Sequence, residues 1–112
     1  MEATPRLKAG LFVRALIRRA EVEGGSAFVL AKGNEEAGAI ILCVATPDGG
    51  VKVLNQARMG DGKLVWARPL GERTDQARAG AWCDKQMKFD PDLWIVEIRD
   101  ASGRAFVDEE IV

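Results

Sequence analysis

Apolar positions along this chain follow two different periods. Between residues 5 and 23 they recur every three to four positions. At 100° per residue Ala9, Phe12, Val13, Leu16, Ile17 and Ala20 share one stripe, which predicts a helix laid on a sheet. Thr4-Pro5 supplies a cap and a first-turn proline and Gly24-Gly25 a stop, so the helix is predicted over residues 5 to about 23. Its opposite side carries Leu7, Leu11, Ala15 and Val22 beside Arg14 and Arg18. A helix apolar nearly all round is usually buried, so this second side either packs against the C-terminal segment or a sheet edge, or meets a second copy or a partner. Leu7, Leu11, Arg14 and Arg18 are the candidate partner surface.

From residue 26 the period changes. Residues 26–32, 37–46, 51–58 and 63–69 are rich in β-branched and apolar side chains and are separated by turn chemistry, which predicts four strands. The short links Pro47-Asp48-Gly49-Gly50 and Gly60-Asp61-Gly62 predict antiparallel neighbours in a meander. Residues 39–44 are continuously apolar, as in a central strand covered on both faces. Thr74-Asp75 opens a second helix, with Ala79, Trp82, Cys83, Met87 and Phe89 on its apolar face, and Asp90-Pro91 ends it. Residues 93–100 read as a fifth strand and 104–107 as a short final one, followed by a solvated acidic tail, Asp108-Glu109-Glu110. The fold class is therefore a single α+β domain over residues 1–112: an antiparallel sheet of about five strands, in the order α-β-β-β-β-α-β plus a short C-terminal strand, with two helices mainly on one face.

Composition narrows the chemistry. The 112 residues are 47% hydrophobic and 29% charged, with 16 basic and 17 acidic side chains, an ordinary globular balance. A net charge of -1 gives no broad positive field for nucleic acid or anionic lipid, and the basic residues of the helices are spread round them, so nucleic acid is not favoured as a partner. The longest nearly apolar run, residues 37–45, is far short of the roughly 20 needed to span a bilayer as a helix. There is no histidine, which removes the usual neutral-pH base and the commonest metal ligand. Cys43 and Cys83 lie far apart in sequence without a redox or metal motif and read as free buried thiols in a reducing cytoplasm. The acid pairs Glu35-Glu36, Asp90/Asp92 and Glu109-Glu110 fall in loops or the tail, so no catalytic residue, metal or cofactor is assigned.

One polar spot remains. If Asp61-Gly62 forms a two-residue turn, Met59 opposes Leu64, Ala57 opposes Trp66 and Asn55 opposes Arg68. Asn55, Trp66 and Arg68 then share a face with Val51 and Val53, where the guanidinium stacks on the indole or binds an anion. The structural alternative is that Arg68 pairs with an acid such as Glu97. A one-residue slip reassigns the faces.

Several blocks together carry a wider likeness: Arg6-Leu-Lys-Ala-Gly-Leu-Phe-Val-Arg-Ala-Leu-Ile-Arg-Arg19, Gly33-Asn-Glu-Glu-Ala-Gly-Ala39, Asn55-Gln-Ala-Arg58, Trp66-Ala-Arg68 and Asp90-Pro-Asp-Leu-Trp-Ile-Val-Glu97. On these the chain resembles, over nearly its whole length, a family of small alphaproteobacterial proteins known as a domain of unknown function. The resemblance implies a bacterial cytoplasmic origin and supplies no reaction, ligand or catalytic residue. The functional expectation is a non-catalytic binding or accessory module recognising a partner protein or an anionic ligand, with a homodimer among the possibilities. The alternative is a metal-independent enzyme using arginine and carboxylate side chains.

Overall fold

The strand that is apolar at every position organises the fold. In the computed structural model, which describes residues 7–112, β2 (Ile40–Ala45) is the middle strand of five. The other elements are α1 (Ala9–Val22), β1 (Ser26–Ala31), β3 (Val51–Arg58), β4 (Leu64–Ala67), α2 (Gln76–Phe89) and β5 (Trp94–Arg99). The sheet order is β1-β5-β2-β3-β4. The last strand enters between the first two, antiparallel to β1 and parallel to β2, so the sheet is mixed rather than a plain meander.

Both faces of β2 are covered because both carry apolar side chains. Leu42 and Val44 pack with Val13, Leu16 and Ala20 of α1 and with Leu54, Trp66, Val96 and Ile98. Ile41 turns the other way, onto Val51, Val53, Ile95 and the α2 residues Ala79 and Cys83. The helices therefore lie on opposite faces, which corrects the expectation of a shared one. Burial of each large aliphatic side chain here is worth about 1.5–3 kcal/mol, and the α1 face holds most of them.

The predicted start of α1 at Thr4-Pro5 lies outside the described residues. Ala9 opens the helix, Lys8 provides no side-chain cap, and acceptors come from a distant loop: Glu36 O takes the Ala9 N–H at 3.3 Å and Glu35 O takes the Gly10 N–H at 2.9 Å. That loop, residues 33–38, is itself built tightly. Asn34 Oδ1 accepts the N–H groups of Glu36 and Ala37, Asn34 N donates to Asp92 O at 2.8 Å, and Trp94 Nε1 donates to Asn34 O at 2.8 Å. A Cβ on Gly33 or Gly38 would overlap the Asp92 carbonyl. The α2 start is local by comparison, with Asp75 Oδ1 accepting the Arg78 N–H at 2.7 Å.

The tail differs from its predicted form. Residues 104–107 form no strand. Ala105 and Phe106 enter the α1-face core, Phe106 with φ 59, and Ile111 makes one parallel bridge to Trp66. The acidic tail is solvent-exposed at Asp108 and Glu110, as expected, yet each of its three acids has a partner. Asp108 meets Arg19 at 2.7 Å, Glu109 accepts the Trp66 Nε1–H at 3.0 Å, and Glu110 meets Lys63 at 3.2 Å. The reason is the edge of β4, whose Trp66 N–H and C=O pair with Glu110 O and Val112 N instead of with water.

Candidate functional site

The hairpin register decides the fate of the first candidate spot. Met59 N donates to Lys63 O and Gly62 N to Met59 O, with Gly62 at φ 85. This is a three-residue loop, 60–62, closed by a glycine in the left-handed region, instead of a two-residue Asp-Gly turn. The register shifts by one: Asn55 opposes Ala67, Gln56 opposes Trp66 and Arg58 opposes Leu64. Asn55 is placed on the α2 face, where its Oδ1 is buried without a hydrogen-bond partner among the described residues. Trp66 is fully buried on the α1 face, with its ring 5.9 Å from that of Phe12. The expected co-facial set of Asn55, Trp66 and Arg68 is therefore not assembled. Arg68 Nε donates to Val112 O at 2.7 Å and Nη1 lies 3.6 Å from Glu72. Glu97 pairs with Arg99 at 2.7 Å.

The candidate partner surface on α1 stays open. Leu7 is 57% and Leu11 48% exposed, Arg18 is exposed, and Arg14 reaches Glu35 at 3.1 Å. Neither leucine is covered by the C-terminal segment, which packs on the other side of the helix through Phe106 and its neighbours.

A third region was not singled out by the sequence. Helix α2 buries only Ala79 and Cys83, and it rests over the β3 side of the sheet. Beside it the β1–β5 half of that face is left as a groove. Its apolar end is a cavity of about 230 Å³ lined by Leu30, Ala31, Cys43, Val51, Ala79, Cys83, Met87 and Ile95. Gln76 and Glu97 line this cavity and also a larger, polar cleft of about 580 Å³ at the carboxyl ends of the parallel pair, with Ser26, Thr46, Arg99 and Asp100. Crevices at that end of parallel strands are common ligand positions in α/β sheets. The apolar rim is exposed: Leu30 is 60% accessible, Phe28 on the same strand is 49% accessible, and Met87 lines the cavity from α2. β1 is an edge strand with a bulge between Val29 and Ala31, which re-aims Leu30.

The groove also joins the two cysteines. Cys43 Sγ and Cys83 Sγ are 3.6 Å apart, both thiols are free, Cys43 half-buried and Cys83 buried. The hydrogen bond it shares with Cys43 holds the Cys83 thiol below the usual thiol range. The same bond, burial and the nearby Glu97 push Cys43 far up. Sequence periodicity assigns each cysteine to an apolar face, but only the placement of α2 shows that the faces meet. Among the described residues no group of three or more His, Cys, Asp or Glu is placed to hold a metal, and no helix is long and apolar enough to cross a membrane.

The cleft carboxylates are spoken for. Asp100 accepts from the Arg104 side chain at 2.8 Å and from the Arg104 and Ser102 N–H groups, which holds it well below the usual carboxylate range. On the turn before β3, Asp48 is lowered to about 2 by Thr46, Arg73 and the Gly50 N–H. Both carboxyls bind protons less readily folded than unfolded. Their contribution is thus complete above the unfolded value of 3.8 and is lost as pH falls toward 2. Urea titrations between pH 5 and pH 2 are expected to show falling stability, with a shallower fall for Asp48→Asn and Asp100→Asn. Variants as steep as wild type would contradict this.

The architecture defines an α+β domain with an open sheet: a mixed five-stranded sheet, mostly antiparallel with one parallel pair, and a helix on either face. The chain belongs to the DUF1491 family, described as a protein of unknown function, whose family model matches residues 7–108. A crystal structure of a DUF1491 family protein from Caulobacter crescentus is similar at 36% identity and a TM-score of 0.89, covering 96% of this chain and 100% of that one. An NMR structure of a DUF1491 family protein from the same organism gives 34% and 0.87, with 97% and 99% covered. The solution structure of a protein from A. tumefaciens gives 30% and 0.79, with 94% and 95% covered. No match is found among curated proteins.

Proposed function

We propose that this chain is a non-catalytic binding module that recognises a partner protein through an extended segment laid along β1, one apolar side chain of which seats in the groove beside α2. The observation that carries this reading is the character of the edge. Edge strands are normally blunted by charge, yet β1 presents Phe28, Val29 and Leu30 in succession, all more than 40% exposed. Leu30 lines the apolar cavity, whose volume suits one large side chain. Strand addition to such an edge takes affinity from main-chain hydrogen bonds and selectivity from the pocket.

The outer stripe of α1 is the second surface favoured by an observation, since Leu7 and Leu11 remain uncovered. An anionic ligand held by Arg68 is the weaker form, because that guanidinium already meets Val112 and Glu72. Catalysis by arginine and carboxylate is weaker again: in the polar cleft Glu97 and Asp100 are each paired with an arginine.

Selection of displayed peptides on the purified chain tests the reading. Enriched peptides are expected to alternate apolar residues and to lose at least about tenfold in affinity against Leu30→Asp/Met87→Asp, the loss of one seated side chain. Amide shifts on binding should fall on β1 and α2. Shifts confined to Leu7, Leu11, Arg14 and Arg18 would move the site to α1. Peptides that bind the double variant equally well, or a β1-mediated dimer with no peptide enrichment, would remove the proposed segment.

A further inference from the structure

We propose that Cys43 and Cys83 are a reversible redox pair: oxidation by a small-molecule disulfide of the glutathione class joins them, and the new bond staples α2 to β2. The two sulfurs come from residues 40 apart, one on the central strand and one on a helix of the opposite layer, yet sit 3.6 Å from each other. A disulfide needs them at about 2.05 Å, so closure asks for a settling of α2 by a small distance. The helix can supply it, because Ala79 and Cys83 are its only buried side chains. Both sulfurs line the open groove with Gln76 and Met87, which gives a small reagent a way in. A pair of buried thiols serving only as apolar filler needs no such opening.

Either sulfur can begin, since either can donate the hydrogen bond between them. Its thiolate attacks one sulfur of the reagent, the reagent's S–S bond breaks, and one thiolate leaves and is protonated from solvent. The other cysteine then gives its proton to solvent and attacks the protein sulfur of the mixed disulfide, expelling the second thiolate. Two protein thiols are oxidised and one small disulfide is reduced to two thiols. The proposal stands on the sulfur geometry and is independent of whether a peptide occupies the groove.

The test is to equilibrate the full chain in glutathione buffers of graded ratio, quench in acid, alkylate with N-ethylmaleimide and weigh the intact protein. Excess oxidised glutathione is expected to give a monomer two hydrogens lighter, with neither cysteine alkylated, and dithiothreitol is expected to restore both thiols. The oxidised form should melt higher by about 15 °C, the size expected for closing a loop of this length. Cys43→Ala should stop at a glutathione adduct on Cys83, since the resolving thiol is gone. Two alkylatable cysteines, a persistent adduct in the wild type, or a melting point lowered by oxidation would each overturn the proposal. The wild-type mass decides even if a variant fails to fold.

Discussion

Trp66→Ala is expected to remove about 3–5 kcal/mol of stability, a large share of the 5–15 kcal/mol typical of a whole domain. Trp66 is the largest fully buried side chain, and it ties α1 to the C-terminal tail. Its ring packs on Phe12 of α1. Its Nε1–H is spent on Glu109, and its backbone N–H and C=O hold Glu110 and Val112. Alanine would leave a cavity under α1 and a carboxylate without its donor. Trp66→Phe keeps most of the volume and forfeits the hydrogen bond, so it should cost about 1–2 kcal/mol, the usual range for one such bond and its unpaired partner. Urea unfolding followed by far-UV circular dichroism measures both. A loss below about 1 kcal/mol for the alanine variant would mean that the core closes over the gap.

The second large effect is expected at Gly33. A methyl group there runs into the Asp92 carbonyl and the Leu93 backbone, which cannot rotate away as a side chain could. Gly33→Ala should therefore cost about 1–3 kcal/mol as overpacking. The damage should spread, because the same loop offers the Glu35 and Glu36 carbonyls to the first turn of α1. Hydrogen exchange is expected to quicken at the Ala9 and Gly10 amides, 23 or more residues away in sequence, along with a lower melting temperature. Gly10→Ala is the contrast. The atoms nearest its methyl group are those of the Glu35 carboxylate, a flexible end, while alanine gains up to about 1 kcal/mol in helix propensity. Near-neutral stability for Gly10→Ala beside a marked loss for Gly33→Ala is the expected pair. Unchanged exchange at Ala9 and Gly10 in Gly33→Ala would show that the loop does not hold the helix start.

Local chemistry in the sequence carried much of this architecture. The two helices and five strands are legible from periodicity and punctuation, and β3 falls on residues 51–58 as expected. What was not legible is long-range. The entry of β5 between β1 and β2 depends on which apolar surfaces cover one another, and no turn signal encodes that. A clue did exist: residues 39–44, apolar on both faces, called for cover on both, which is incompatible with two helices on one side. The expected grouping of Asn55 with Trp66 on one face slipped by a single residue, because Gly60 joined the loop and moved Trp66 from the Asn55 face to the other. The family-like blocks 33–39 and 90–97, which carry no chemical motif, turn out to be the two halves of the clasp between Asn34, Asp92 and Trp94. The cysteine pair and the groove needed the position of α2, which is a property of packing alone.

The two outer strands of the sheet are treated differently, and this limits how copies of the chain can assemble. At β4 the tail already occupies the margin beside Trp66, whereas among the described residues no strand lies beyond β1. Head-to-tail growth would need both margins vacant, so stacking of β1 on β4 into an open fibre is blocked at its second step. Strand pairing of β1 between copies is then isologous: two molecules related by a two-fold axis, joined into one continuous ten-stranded sheet and then complete.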